Sequence, residues 1–228
     1  MMMDEGARLV LGAGTIDRVV CRCEEKLRCF SENEDGYAYL IHRPATPPNV
    51  LVPEDLAVTL AFNSNATGRA FRSLMERASE VDLEALPDRA LEDTSDSERD
   101  HVARMLTEIA SWPGFKASLA TKTLHKKRPH LIPVLDNRAI FGAYLKPKWP
   151  GVPSSGNSVA DVCCIRLALD SIATDLNRPE NLAAWRILQG VMPQRSRIEI
   201  FDMVWWMYFR EYEPQAKPAN QGARSRRK

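Results

Sequence analysis

Apolar residues recur every three or four positions through most of the chain after residue 51, which is the spacing of one helical face. Capping residues and prolines divide this pattern into about eight helices. The first predicted helix starts near residue 53, and the other seven cover about residues 70–78, 95–111, 117–128, 136–144, 158–176, 179–188 and 198–212. The pattern therefore predicts a mainly α fold, and it shows no internal repeat.

The two ends of the chain lack this periodicity. Residues 37–41 follow an Asp-Gly pair and are rich in aromatic and branched side chains, which is typical of a short strand. Residues 43–49 contain three prolines and form a stiff connector. We predict an irregular or β appendage at residues 1–50, a helical domain at 51–213 and a disordered basic tail at 214–228.

Charge is distributed unevenly along the sequence. The formal net charge is +1, so the whole chain gives no general case for nucleic-acid binding. Acidic residues concentrate between residues 76 and 98, whereas Lys and Arg gather at 116–128 and 217–228. Any surface that attracts phosphate is therefore expected to be local.

Five cysteines occur without any C-x-x-C spacing, and their number is odd. This usage argues against a disulfide framework and against a zinc ribbon, and histidines at ligand spacing are missing. We expect no metal and no organic cofactor. The first residues are acidic and no apolar run has the length of a membrane span, so we expect a soluble cytoplasmic protein without membrane contact.

Candidate chemistry lies between residues 112 and 138. Pro113-Gly114 separates two predicted helices, and Asp136 begins a third helix after an apolar segment at residues 131–135. Amide N–H groups at a turn and helix start bind phosphate, and nearby cations strengthen the attraction. We therefore expect DNA as the partner. The predicted contact residues are Pro113, Gly114, Phe115, Lys116, Ser118, Lys122, Lys126, Arg128 and Arg138.

The segment Trp112-Pro-Gly-Phe-Lys-Ala-Ser-Leu-Ala120 resembles the hairpin of the helix-hairpin-helix DNA glycosylase superfamily, whose pattern is Leu-Pro-Gly-Val-Gly followed by small residues. With Pro113-Gly114 laid on that Pro-Gly, Ala120 and Asp136 fall on the motif's alanine and catalytic aspartate without a gap. The resemblance implies a glycosylase-like helical fold with Asp136 as the catalytic carboxylate. Lys116 replaces the second glycine, and Ser118 replaces the nucleophilic lysine of bifunctional members. A monofunctional DNA N-glycosylase is implied.

Simpler interpretations stay open for the same residues. Pro113-Gly114 is also a common helix end, and an aspartate such as Asp136 caps helices far more often than it catalyses. The basic run at 125–128 is also typical of a solvated helix end. The alternative function is a non-catalytic helical module that binds DNA or a protein. Asp202, within an aromatic helix, is expected to pair with an arginine such as Arg138 or Arg186.

A larger part of the chain is similar to a family of uncharacterised bacterial proteins described only as a domain of unknown function. The similarity runs through residues 51–58, 120–136 and 197–207, and its central segment is Ala120-Thr-Lys-Thr-Leu-His-Lys-Lys-Arg-Pro-His-Leu-Ile-Pro-Val-Leu-Asp136. It covers about two-thirds of the length. This similarity implies a shared fold and no particular activity.

Overall fold

The computed structural model describes residues 6–12, 17–32, 46–59, 66–152 and 161–212. Strands β1 (Leu9–Leu11) and β2 (Arg18–Val20) pair antiparallel, with Leu9 opposite Val20. The α-helices are α1 (Cys23–Glu32), α2 (Pro53–Val58), α3 (Gly68–Arg77), α4 (Asp96–Ser111), α5 (Ala117–His125), α6 (Val162–Asn177), α7 (Leu182–Val191) and α8 (Arg197–Tyr212). Short 3₁₀ turns lie at Ala78–Glu80, Leu91–Asp93 and Pro179–Asn181, and a π-helix spans Asn137–Leu145.

The prediction of a mainly helical chain with a small N-terminal β element is confirmed. The β element consists of β1 and β2, which the sequence did not identify, and α1 was not predicted either. The predicted strand at 37–41 and the predicted tail at 214–228 lie outside the described residues.

Helix starts follow the capping chemistry of the sequence. Ser95 and Glu98 form a capping box before α4, because the Ser95 hydroxyl accepts the Glu98 N–H (3.3 Å) and the Glu98 carboxylate accepts the Ser95 N–H (2.7 Å). Pro53 occupies the first turn of α2, where its missing N–H costs nothing. Asp161 accepts the Cys164 N–H (2.9 Å) and sets the start of α6 at Val162.

The helix predicted after Asp136 is present, but it is wound as a π-helix. The N–H groups of Ile140 and Phe141 both reach the Asp136 carbonyl, at 3.0 and 3.1 Å, and the Lys146 N–H reaches the Phe141 carbonyl at 3.1 Å. The wider i→i+5 pattern is rare and frequently occurs at functional sites. Local propensity does not distinguish it from an α-helix, so the sequence pattern indicated only a helix.

The N-terminal hairpin and α1 share one hydrophobic core with the later helices. The Asn181 side chain accepts the Val10 N–H (2.7 Å) and donates to the Val10 carbonyl (2.9 Å), which attaches β1 to the turn before α7. Buried Asp175 accepts both the Gly12 N–H and the Tyr144 hydroxyl at 2.6 Å. The core therefore contains residues from both sides of position 50.

Candidate nucleic-acid interface and carboxylate site

The Pro113-Gly114 turn is a rigid connection between α4 and α5. Gly114 has φ +89°, a left-handed conformation that disfavours side chains. A Cβ atom at Gly114 would lie 2.6 Å from the Ala70 backbone nitrogen in α3, so only glycine fits against this helix. The Ser73 hydroxyl of α3 donates to the Pro113 carbonyl at 2.7 Å. The turn is thus fixed against the start of α3.

The α5 helix starts directly after this turn. Buried Trp112 and Phe115 pack edge to face, with ring centroids 5.5 Å apart, and orient the chain as it enters the helix. Lys116 precedes the helix and provides no side-chain cap. The first N–H groups of an α-helix have no partner within the helix. This end of α5 therefore presents amide donors beside the turn.

Three side chains fix the apolar segment at residues 131–135 that leads to Asp136. The Leu135 N–H donates to the Thr121 hydroxyl (3.1 Å), and the His125 ring contacts the Ile132 carbonyl through Nδ1 (2.6 Å). From α8, Asp202 accepts the Val134 N–H at 3.1 Å.

The sequence had not pointed to Thr121 or His125 as residues that position this segment. The signal in the sequence was that Thr121 and His125 are four residues apart, which places them on one face of α5. Residues 131–135 are therefore anchored by both α5 and α8.

Among the described residues, Asp202 has no arginine partner, although its sequence context suggested one. Its contacts in the described structure are the Val134 N–H and, 3.9 Å away, Nδ1 of His125. Burial raises the pKa of Asp202 well above its usual range, against the effect of the Val134 hydrogen bond. Burial also lowers the pKa of fully buried His125 to about 4. Burial therefore favours the neutral form of both groups, a protonated Asp202 and an uncharged His125.

Asp136 lies half-buried at the start of the π-helix. Its Oδ1 accepts the N–H groups of Arg138 (2.8 Å) and Ala139 (2.9 Å), so the predicted capping role is real. Buried Lys122, from α5, interacts electrostatically with Asp136. Burial lowers the pKa of Lys122, and the Asp136 carboxylate opposes that effect. The site therefore combines a carboxylate fixed by two amides with a neighbouring buried amine.

The remaining predicted contact residues differ in their exposure. Pro113, Gly114 and Arg138 are exposed, and Lys116, Ser118 and Lys126 are half-buried. Phe115 belongs to the core. The structure therefore brings Lys116, Ser118 and the turn together at one end of α5, whereas Phe115 acts as a packing residue.

Arg128 is buried and hydrogen-bonded inside the protein. Its guanidinium donates to the carbonyls of Pro48 (3.0 Å) and Leu83 (3.1 Å) and to the Asn49 side chain (2.5 Å). Its neighbour Lys127 forms a buried ion pair with Asp55 at 2.9 Å. These contacts attach the proline-rich connector to the helical body, so the role predicted for Arg128 as a phosphate contact is replaced by a structural one.

In the described part of the chain, no three His, Cys, Asp or Glu side chains are placed to hold a metal ion. The five cysteines are free thiols. No helix within the described ranges is long and apolar enough to cross a membrane.

Residues 35–209 match the model of a family described as a family of unknown function, DUF6308. The chain belongs to this family. No curated protein and no solved structure matches the chain. The comparisons agree with the similarity to an uncharacterised family, and they do not connect that family with the helix-hairpin-helix glycosylases.

Proposed function

We propose that the protein binds DNA through the turn at residues 113–116 and the start of α5, and that it is a monofunctional DNA N-glycosylase with Asp136 as its catalytic carboxylate. The observation that supports this proposal best is the placement of Asp136. Its Oδ1 is held by two amides, and the segment before it is bonded to the helix that begins at the Pro113-Gly114 turn.

The segment that carries the carboxylate is bonded to the middle of α5, the helix that begins directly after the turn. Leu135, directly before Asp136, is bonded to Thr121, which is four residues after the first residue of α5. Four residues correspond to about 6 Å along a helix axis. The segment that carries the carboxylate is therefore anchored about one helical turn along α5 from the start of the helix. This proximity supports a site in which the backbone is fixed and a flipped nucleotide reaches Asp136.

The proposed reaction is hydrolysis of the N-glycosidic bond. The bond between C1′ and the base nitrogen breaks, and its electron pair leaves with the base. The Asp136 carboxylate stabilises the positive charge that develops on the sugar, as carboxylates do for oxocarbenium-like transition states. A water oxygen then bonds to C1′, and the proton that it loses passes through Asp136 to the departing base. Ser118 supplies no amine at the position used by bifunctional enzymes, so the DNA strand stays intact.

The test is a base-excision assay on duplexes that carry a panel of damaged or modified bases. Asp136→Asn is expected to abolish base release and to retain DNA binding. Because the asparagine oxygen can still cap the π-helix, the capping contribution to the free energy of unfolding should change by less than about 1 kcal/mol. Asp161→Asn is the matched control, since Asp161 caps α6 in the same manner, and it should retain full base release.

Two results would overturn the catalytic proposal. One is a wild-type protein that releases no base from any duplex of the panel. The other is an Asp136→Asn variant that releases base at the wild-type rate.

A non-catalytic DNA-binding module is the second candidate. It is favoured by the two capping contacts of Asp136, which already explain an aspartate at this position, and by Lys116 in place of the hairpin's second glycine. This candidate predicts salt-dependent binding of duplex DNA without base release, and the same affinity for the wild-type protein and Asp136→Asn.

A further inference from the structure

We propose that the first turns of α3 form a second part of the DNA-contact surface, with Arg69 and Arg72 contacting the phosphate backbone. The inference rests on the DNA binding proposed above and adds an element that the sequence motifs did not indicate. Its partner is duplex DNA, recognised through its phosphates.

The start of α3 is fixed directly beside the Pro113-Gly114 turn. A Cβ atom at Gly114 would lie 2.6 Å from the nitrogen of Ala70 and 3.1 Å from the carbonyl carbon of Arg69. The Ser73 hydroxyl is bonded to the Pro113 carbonyl at 2.7 Å. A DNA backbone that reaches the turn therefore also reaches the residues that begin α3.

The two arginines in the first half of α3 have no partner in the described part of the chain. Arg69 and Arg72 are exposed, and within the described residues neither has an ion pair or a hydrogen bond from its guanidinium. Their spacing of three places them on adjacent positions of one helix face. At the other end of α3, Arg77 pairs with Glu80 (2.9 Å) and covers the Trp112 ring at 5.3 Å. Of the three arginines of α3, Arg77 therefore has a partner, and Arg69 and Arg72 have none among the described residues.

Arginines that connect elements of the fold are paired. Arg99 and Arg166 both pair with Asp170, at 2.6 and 2.9 Å, and they join α4 to α6. Arg178 pairs with Asp17 at 2.8 Å and with buried Asp175 at 3.2 Å. The protein thus neutralises the arginines that serve its fold.

The surroundings of the two α3 arginines are open and basic. A Cβ atom at Gly68, the first residue of α3, would have no atom within 4 Å, so the side of the helix start that Gly68 faces is open in the described structure. Half-buried Lys116 is the last residue of the turn and is likewise unpaired within the described residues. Glu76 follows Arg72 by one turn and forms no ion pair with it in the described part of the chain. Arg69, Arg72 and Lys116 therefore lie on the two segments that meet at the turn, and no carboxylate among the described residues forms an ion pair with any of them.

The experiment compares two double variants of the full chain in a DNA-binding titration by fluorescence anisotropy. Arg69→Ala/Arg72→Ala removes the proposed contacts. Arg28→Ala/Arg186→Ala is the control, because it removes two arginines of α1 and α7 that are exposed and unpaired in the described structure, and so lowers the net charge equally. A duplex of about 20 base pairs is titrated at several salt concentrations from about 50 to about 200 mM.

Each phosphate contact contributes about 0.9 to the slope of log K against log salt, so loss of both arginines should reduce the slope by about 1.8 and the affinity at the lowest salt by at least about ten-fold. The control should keep the wild-type slope. Equal slopes for the two double variants would overturn the inference and leave the proposed DNA binding intact. A wild-type protein that does not bind the duplex at the lowest salt would overturn both.

Discussion

The buried ring of His125 makes a prediction about stability and pH that can be worked out from the structure. Its Nδ1 lies 2.6 Å from the Ile132 carbonyl, which can only accept, so Nδ1 carries the proton. The titratable groups that act on the ring are Asp202, whose carboxyl lies 3.9 Å from Nδ1, and the charged side chains of Lys126, Glu199 and Arg195. Burial dominates over these charges and lowers the pKa of His125 from 6.5 to about 4.

The sign and size of the effect follow from proton linkage. The unfolded chain binds a proton at His125 as pH falls below 6.5, whereas the folded protein resists it down to about pH 4. The stabilisation is therefore complete above pH 6.5 and is lost as the pH falls toward 4. Each pH unit of this interval costs about 1.4 kcal/mol, so about 2 kcal/mol is lost between about pH 7.5 and about pH 5, and about 3 kcal/mol in total.

The variant that tests this is His125→Asn, because its side-chain amide can replace the Nδ1–H donor and does not titrate. Urea unfolding at about pH 7.5 and about pH 5 gives the free energy of unfolding of each protein. The wild type should lose about 2 kcal/mol more than the variant, which corresponds to about 4–8 °C in melting temperature. The comparison is made between proteins because other groups titrate in the same range.

Titration of Asp202 changes the free energy of unfolding in the opposite direction to that of His125, so a second variant controls for it. Burial raises its pKa, so the folded protein gains stability as Asp202 takes up a proton on acidification. Asp202→Asn, introduced into the wild type and into His125→Asn, removes this contribution and should preserve the difference between the two backgrounds. If the wild type and His125→Asn lose the same free energy between the two pH values, the assignment of a neutral buried histidine is wrong.

Three further predictions concern the contacts that shape the candidate site. Gly114→Ala should lower the free energy of unfolding by more than about 1 kcal/mol, because of its positive φ and the clash with Ala70; an unchanged melting temperature would refute this. Asp55→Asn should cost about 3–5 kcal/mol by leaving the buried Lys127 ammonium without its carboxylate, and Asp55→Asn/Lys127→Met should recover most of that loss in a double-mutant cycle. Additive losses would contradict the pairing. Ser95→Ala should cost about 1 kcal/mol in urea unfolding, whereas a loss near zero would mean that the capping box is not formed in solution.

Helices with strong local signals were predictable from the sequence, and helices without them were not. Ser95 and Glu98 mark the start of α4 because both capping partners lie within four residues of each other. The α1 helix carries no comparable start signal. It is held by buried residues such as Leu27 and Phe30 that face the common core. Its formation therefore depends on distant packing more than on local propensity.

The candidate site shows the same division. The order of turn, basic helix and Asp136 was predictable from the sequence because a glycine turn and an N-cap are local features. Gly114 and Asp136 occupy the conformations expected for them. The structural role of Arg128 was not predictable from the sequence, because its partners at residues 48, 49 and 83 are brought to it only by folding. A charged residue on a predicted helix has the same appearance in sequence whether it faces solvent or a buried carbonyl.

The sequence by itself determined the helical class, the main helix starts and the turn with its carboxylate, since capping, turn geometry and apolar spacing act within a few residues. The tertiary structure decided which cationic side chains have partners within the described protein. It buried Lys122 beside Asp136, committed Lys127 and Arg128 to the connector, and left Arg69 and Arg72 open next to Gly114. The reason is that the availability of a charge depends on the partners that long-range packing supplies.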